Sequence, residues 1–378
     1  MNYVDPSTGR TYSAAEARWC ADNGHYLNLE PAPGLVRREI ETARHSVWRY
    51  AKAILVDAEH AVSLGEGWTP LVPGDWGGAR VLFKLEFTMP TGSFKDRGMT
   101  VMVSYLKSHG VDRVLEDSSG NAGASLSAYA AAGGLSCRVL VPETASYPKI
   151  AQIAACGADV VTIPGTRQDV ADAALRQSAE IFYASHNWQP FFVEGVKTLA
   201  YELWEQLGFR PPDNVVVPLG YGSNVLGCDR GFDELHRRGE IDGRPRLFGV
   251  QAANCAPYAA AFHAGVEHLV PTAVMPTVAE GIASAQPTRV AEVLRAVRRS
   301  GGTIVTVDEA EIVEALRVLA RRGLYVEPTA AATAAGLSHL QTSGAIRPEE
   351  TTVLVLTGSG LKASATIGEL LKLGARRV

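Results

Sequence analysis

Lys95 stands in Pro90-Thr91-Gly92-Ser93-Phe94-Lys95-Asp96-Arg97-Gly98, a turn-like stretch that runs straight into a helical pattern. Its amine condenses with a carbonyl only in the neutral form. A free lysine, with a pKa near 10.4, is neutral in about one molecule in two thousand at pH 7. Desolvation or an imine bond shifts that balance. Taken alone, the segment is equally an ordinary solvated charge, as most lysines are.

Three further segments carry groups suited to holding a small anionic molecule. Glu116-Asp117-Ser118-Ser119-Gly120-Asn121-Ala122-Gly123-Ala124-Ser125 links a short apolar piece to an alanine-rich helical pattern. Its glycines permit close backbone approach, and its hydroxyls, amide and N–H groups suit a carboxylate at a helix start. A capped turn is the alternative, since Ser and Asn favour helix N-termini. Pro218-Leu219-Gly220-Tyr221-Gly222-Ser223-Asn224 follows a Val-Val-Val strand. Glycines there let successive N–H groups converge on a phosphate, with a helix dipole just beyond. The segment matches neither G-x-G-x-x-G nor the P-loop, which disfavours a dinucleotide or nucleoside triphosphate. Leu356-Thr357-Gly358-Ser359-Gly360-Leu361-Lys362 also ends an apolar strand, where a short hydroxyl can face a crevice. Both glycine segments also read as structural strand-to-helix turns.

The elements that must position these groups alternate. Short β-branched runs at 81–85, 137–141, 159–163, 214–217, 247–251, 303–307 and 352–357 predict strands. Apolar spacing of three or four predicts helices over 96–108, 171–182, 197–207, 312–322 and 361–373. This is the pattern of α/β units around a mainly parallel sheet. The first eighty residues are punctuated by Pro and Gly; only 35–60 reads as helix, and the segment is expected to form an arm.

A chain of 378 residues, 46% hydrophobic and 20% charged, buries a large core, divided here between two lobes. With 36 basic against 40 acidic side chains it offers no field for nucleic acid or an anionic membrane, so a small molecule is the expected partner. Cys20, Cys137, Cys156, Cys228 and Cys255 are scattered, without metal-ligand or disulfide spacing, so no metal site is expected. The start of the chain lacks the basic and apolar run of a secretory signal, and no apolar stretch is long enough to span a bilayer. A cytoplasmic location is expected.

Taken in order, the segments from Gly65-Glu66-Gly67-Trp68-Thr69-Pro70-Leu71 to Lys362 resemble the fold-type II (tryptophan synthase β-like) pyridoxal 5'-phosphate enzymes. Thr91 to Gly98 is most similar to the threonine synthases. The resemblance implies an α/β fold of two domains, with mainly parallel sheets and helices on both faces. A small domain, 91–194, would be inserted into a large cofactor-binding domain of 1–90 and 195–378, with the cofactor between them and a homodimer as the assembly. It further implies that Lys95 is the Schiff-base lysine and that Asn121 hydrogen-bonds the cofactor ring oxygen. The backbone of Gly220, Tyr221, Gly222, Ser223 and Asn224 would bind the phosphate, and Thr357 would face the pyridine nitrogen. Ser118 and Ser119 would grip the carboxylate of a small amino-acid substrate. A neutral threonine at the ring nitrogen does not enforce its protonation, which favours elimination and replacement over transamination.

The expected reaction is that of a carbon–oxygen lyase resembling threonine synthase, turning O-phosphohomoserine and water into threonine and phosphate. Two stretches depart from that pattern. Ala122 stands where threonine synthases commonly place a phosphate-holding threonine, with Lys149 or Arg167 as substitute cations or plain solvated charges. Val278-Ala279-Glu280-Gly281-Ile282-Ala283 resembles the Ala-Asp-Gly-Ile-Ala stretch of serine/threonine dehydratases. The alternatives are therefore an ammonia-lyase, dehydratase or β-replacement enzyme on a hydroxy-, diamino- or O-activated amino acid, and a non-catalytic binding protein that keeps the fold.

Overall fold

A computed structural model describes residues 1–143, 145 and 147–373. The strands in chain order are β1 (Asn2–Val4), β2 (Thr11–Ser13), β3 (Asn28–Leu29), β4 (Leu71–Trp76), β5 (Ala79–Lys84), β6 (Arg113–Glu116), β7 (Ser136–Pro142), β8 (Asp159–Ile163), β9 (Phe182–Tyr183), β10 (Asn214–Pro218), β11 (Arg246–Ala252), β12 (Ile304–Val307) and β13 (Thr352–Val355). The helices that bear on the site are α1 (Lys95–Ser108), α2 (Asn121–Gly133), α3 (Tyr147–Ala155), α4 (Arg167–Gln177), α5 (Pro190–Val196), α6 (Thr198–Gln206) and α7 (Ser223–Arg237). The chain divides into two compact units. The first is Met1–Trp68, Met89–Glu202 and Arg230–Asp242; the second is Thr69–Thr88, Leu203–Asp229 and Gly243–Val378. This division groups Met1–Trp68 with the lysine-bearing unit, whereas the expected one placed 1–90 with the glycine segments.

The first unit holds a four-stranded parallel sheet in the order β8-β7-β6-β9. From β6 the chain steps outward to β7 and β8, then returns through α4 to β9 on the other side of β6. The direction of winding therefore reverses between β6 and β9, where open α/β sheets leave a crevice beyond their carboxyl ends. Helices α1, α2 and α5 pack through a core that includes Met99, Met102, Leu126, Tyr129, Phe191 and Phe192. Helices α1 and α5 cross closely because two glycines face the contact. A Cβ on Gly98 would lie 2.3 Å from Phe192 Cδ2, and one on Gly195 would lie 2.0 Å from the Arg97 carbonyl.

The second unit holds a six-stranded sheet in the order β12-β11-β10-β13-β5-β4, parallel except for the antiparallel edge strand β4. Here the winding runs from β10 through β11 to β12, and β13 then inserts beside β10 on its other flank. A second reversal thus falls between β10 and β13. The run Val215, Val216 and Val217 is fully buried, as a parallel strand covered on both faces requires.

The arm differs from expectation. Residues 35–60 contain no α-helix, only 3-10 turns at Arg37–Glu39, Val47–Tyr50 and Ala58–His60. Tertiary bonds hold this stretch off the helical path. The Val47 N–H donates to the Glu66 carbonyl at 2.8 Å, and the Trp48 indole donates to Thr100 Oγ1 at 2.9 Å. Strands β1 to β3 form a small antiparallel sheet that the sequence pattern did not predict.

Candidate active site

Lys95 is the first residue of α1, at the end nearest the Thr91–Phe94 turn. Its Nζ lies 4.3 Å from the centre of the Phe94 ring and 5.6 Å from that of Phe192. Aromatic faces of this kind attract a cation yet strip away its water. The turn is fixed by Asp96, whose buried carboxylate accepts the Thr91 N–H at 2.7 Å, the Thr91 hydroxyl at 2.5 Å and the Ser125 hydroxyl of α2 at 2.5 Å. One carboxylate therefore ties the lysine's turn to both helices. Beside it, the Ser93 hydroxyl is fully buried and has no hydrogen-bond partner among the described residues.

Ser118, Ser119 and Asn121 occupy the passage from β6 into α2, at the first reversal point. Gly123 is obligatory there, since a Cβ would lie 2.0 Å from the Ser118 carbonyl. Helix α2 begins after Gly120 with no side-chain cap bond. Its leading N–H groups, which lack intrahelical acceptors, can therefore meet a ligand carboxylate.

The segment Gly220–Asn224 follows β10, and Thr357 follows β13, so both lie at the carboxyl edge of adjacent parallel strands, at the second reversal point. A Cβ on Gly222, whose φ is +89°, would approach Val293 Cγ2 to 2.3 Å. Only glycine satisfies both the left-handed backbone and that gap. Helix α7 then starts at Ser223 and adds its N-terminal dipole. The Thr357 hydroxyl and Asn224 Oδ1 are both buried without partners among the described residues. Orphaned polar atoms are uncommon in native interiors; of the ten among the described residues, these two fall on segments expected to hold a cofactor. The residues present thus fit pyridoxal phosphate.

Sequence reasoning gave Glu116 and Asp117 no role of their own, and it missed His186. All three meet at the carboxyl ends of β6 and β9. His186 Nδ1 and its backbone N–H both lie 3.3 Å from Glu116 Oε2, and the Asp117 N–H donates to Glu116 Oε1 at 3.1 Å. Burial lifts the Glu116 carboxyl above its ordinary range. Burial, reinforced by the Lys95 charge, holds the His186 imidazole well below its ordinary range and so neutral. The His186 ring stands edge-on to Phe192 at 5.5 Å. Arg167 pairs with Asp117 Oδ2 at 2.7 Å, while the Lys149 side chain lies outside the described residues. No signal in the sequence joins positions fifty to seventy residues apart.

The family model described as pyridoxal-phosphate dependent enzyme matches residues 62–358. The chain is 36% identical to the threonine synthase of Methanocaldococcus jannaschii, over 94% of this chain and 91% of that protein. It is 38% identical to the threonine synthase of Methanosarcina acetivorans, over 87% and 83%. Among solved structures, a threonine deaminase from T.th. superposes with a TM-score of 0.66 at 27% identity, covering 77% of this chain and 92% of that one. The processed threonine deaminase isoform 2 of Solanum lycopersicum shares the fold, with a TM-score of 0.70 at 22% identity and 93% of each chain covered. The chain belongs to the family of pyridoxal phosphate-dependent enzymes of fold type II. Its closely covered relatives make it threonine synthase-like.

Proposed function

We propose that this chain is a threonine synthase-like carbon–oxygen lyase that converts O-phosphohomoserine and water to threonine and phosphate. The supporting observation is the set of buried polar atoms without partners, Ser93 Oγ, Asn224 Oδ1 and Thr357 Oγ1, on the segments expected to hold the cofactor. When bound, pyridoxal phosphate stabilises negative charge at the substrate α-carbon. Lys95 would hold the cofactor through its amine and would serve as the general base for the substrate α-proton. Asn121 would donate to the ring oxygen, and Thr357 would sit at the pyridine nitrogen without forcing its protonation. The Gly220, Tyr221, Gly222, Ser223 and Asn224 backbone and the α7 dipole hold the cofactor phosphate. Ser118, Ser119 and the uncapped start of α2 hold the substrate carboxylate. The working assembly is a homodimer.

Purified protein is expected to show a cofactor absorbance band and to release phosphate and threonine together from O-phospho-L-homoserine. Borohydride trapping should place the cofactor mass on the peptide containing Lys95, and Lys95→Ala should lose both the band and turnover. Wild-type turnover by Lys95→Ala refutes the assignment. A second reading, ammonia-lyase or dehydratase chemistry, has one observation in its favour. The dehydratase-like stretch packs on the glycine segment, where a Cβ on Gly220 would come within 2.9 Å of the Gly281 carbonyl. Release of an α-keto acid from a hydroxyamino acid, with no turnover of the phosphorylated one, would select it.

A further inference from the structure

We propose that Glu194, Lys197, Tyr201 and Glu234 form a proton-dependent lock that docks the N-terminal arm onto the first unit and releases it as pH rises. All four side chains are buried, Lys197 and Tyr201 completely. Glu194 belongs to α5, Lys197 caps the end of that helix, Tyr201 belongs to α6 and Glu234 to α7. The Lys197 ammonium directs its three N–H groups to the Glu194 carboxylate at 2.5 Å, the Glu234 carboxylate at 2.9 Å and the Ala53 carbonyl of the arm at 2.8 Å. The Leu55 N–H of the arm donates to the same Glu194 oxygen at 3.2 Å, and the Tyr201 hydroxyl donates to the second Glu234 oxygen at 2.6 Å. The arm also covers the cluster at two further points. Tyr50 stacks on the Tyr201 ring at 5.7 Å, and a Cβ on Gly34 would lie 3.0 Å from Glu234 Cβ and 3.2 Å from the Tyr201 hydroxyl.

Charge decides how this cluster behaves. Two buried carboxylates share one ammonium. Arg238 of α7 approaches Gly34 only through its aliphatic stem, and its guanidinium faces Glu39 of the arm at 3.7 Å, both partly exposed, so its charge is matched elsewhere. With both carboxyls ionised, the cluster holds a negative charge out of water without compensation, which is costly; one bound proton makes it neutral. Burial, followed by the Glu194 charge, raises the Glu234 carboxyl above its ordinary range against the pull of Lys197. A carboxyl raised in this way favours the docked state at low pH, and that contribution is lost as pH rises through the folded value. Undocking of Ala53–Leu55 then admits water to the charge while α5, α6 and α7 stay packed. The inference concerns the arm and stands whatever the substrate.

The test is amide hydrogen exchange on the full chain, followed at Ala53–Leu55 and at the β7 strand and corrected for the pH dependence of exchange in a free chain. In wild type, protection of the Leu55 N–H is expected to fall about tenfold or more between about pH 5 and about pH 9, while β7 stays protected. Glu234→Gln keeps an acceptor for Lys197 but removes the excess charge, and is expected to hold the arm's protection constant over the same range. Should that variant fail to fold, Glu194→Gln, which removes the other of the two charges, carries the same expectation. Constant protection in wild type overturns the proposal. So does a fall shared equally by β7, which assigns the effect to global unfolding, and so does a wild-type fall that persists in the glutamine variant, which assigns it to groups outside the cluster.

Discussion

At the scale of single residues, Asp96 shows how a site lysine is positioned by a neighbour that does no chemistry. Its carboxylate accepts the Thr91 N–H and hydroxyl and the Ser125 hydroxyl, all buried. Asp96→Ala leaves these donors unsatisfied, for a loss on the order of 3 kcal/mol. The expected outcome is a lower melting temperature together with weaker retention of the cofactor, because the Thr91–Phe94 turn and the start of α1 lose their common anchor. Thermal unfolding and cofactor absorbance, followed side by side, check this. A variant that melts like wild type would show that the two helices hold the turn without the carboxylate. Arg97, next in the chain, makes a separate buried pair with Glu202, at 2.8 and 2.9 Å, that also receives the Trp68 N–H at 2.7 Å. Consecutive residues of one motif thus anchor α1 on two sides.

At the scale of elements, the motif segments were legible because each is a short run whose chemistry is local. The predicted strand at 159–163 and helix starting at 96 match β8 and α1 closely. The helix predicted over 171–182 instead starts at Arg167, because Thr166 and Asp169 form a reciprocal capping box, and it ends by Gln177. Phe182 then leaves it to pair with Val114 in β9. Two- and four-residue strands such as β9 and β6 lack the length to show a period, so the reversal point that organises the first unit was invisible in the sequence. A sheet-edge contact in the second unit gives a pH prediction. Glu350 accepts Asn214 Nδ2 of β10 at 3.2 Å and meets Arg246 Nη2 of β11 at 2.5 Å. Burial alone would raise its carboxyl, but the Arg347 N–H, the Asn214 amide and the Arg347 and Arg246 charges bring it down from 4.5 to about 2. A depressed carboxyl stabilises the fold above its unfolded value, and that contribution is lost as pH falls through the folded one. Glu350→Gln should therefore be less stable than wild type at pH 7, with the difference closing between pH 4.5 and about 2. Denaturant midpoints taken across that range measure it, and a constant difference would assign the effect to packing.

At the scale of the whole molecule, the same device appears twice. Each unit has a parallel sheet whose winding reverses once, between β6 and β9 in one and between β10 and β13 in the other; Ser118, Ser119 and Asn121 follow β6, Gly220–Asn224 follows β10 and Thr357 follows β13, whereas Lys95 precedes β6 at the start of α1. Ser93 Oγ, Asn224 Oδ1 and Thr357 Oγ1 are buried without partners among the described residues, and Asp117 Oδ1 is likewise unsatisfied. A molecule that satisfies them binds the folded state and not the unfolded one, so it stabilises the fold by mass action. Pyridoxal phosphate at one hundred times its dissociation constant should add about 2.7 kcal/mol. Removing it by treatment with hydroxylamine and dialysis is therefore expected to lower the melting temperature by several degrees, and adding it back should restore the value. Pyridoxal without its phosphate should restore less, because it leaves the Gly220–Asn224 loop and the start of α7 without their anion. Equal rescue by the two compounds would show that the phosphate is not held there. Loss of rescue in Lys95→Ala alone would locate most of the binding energy at the lysine instead.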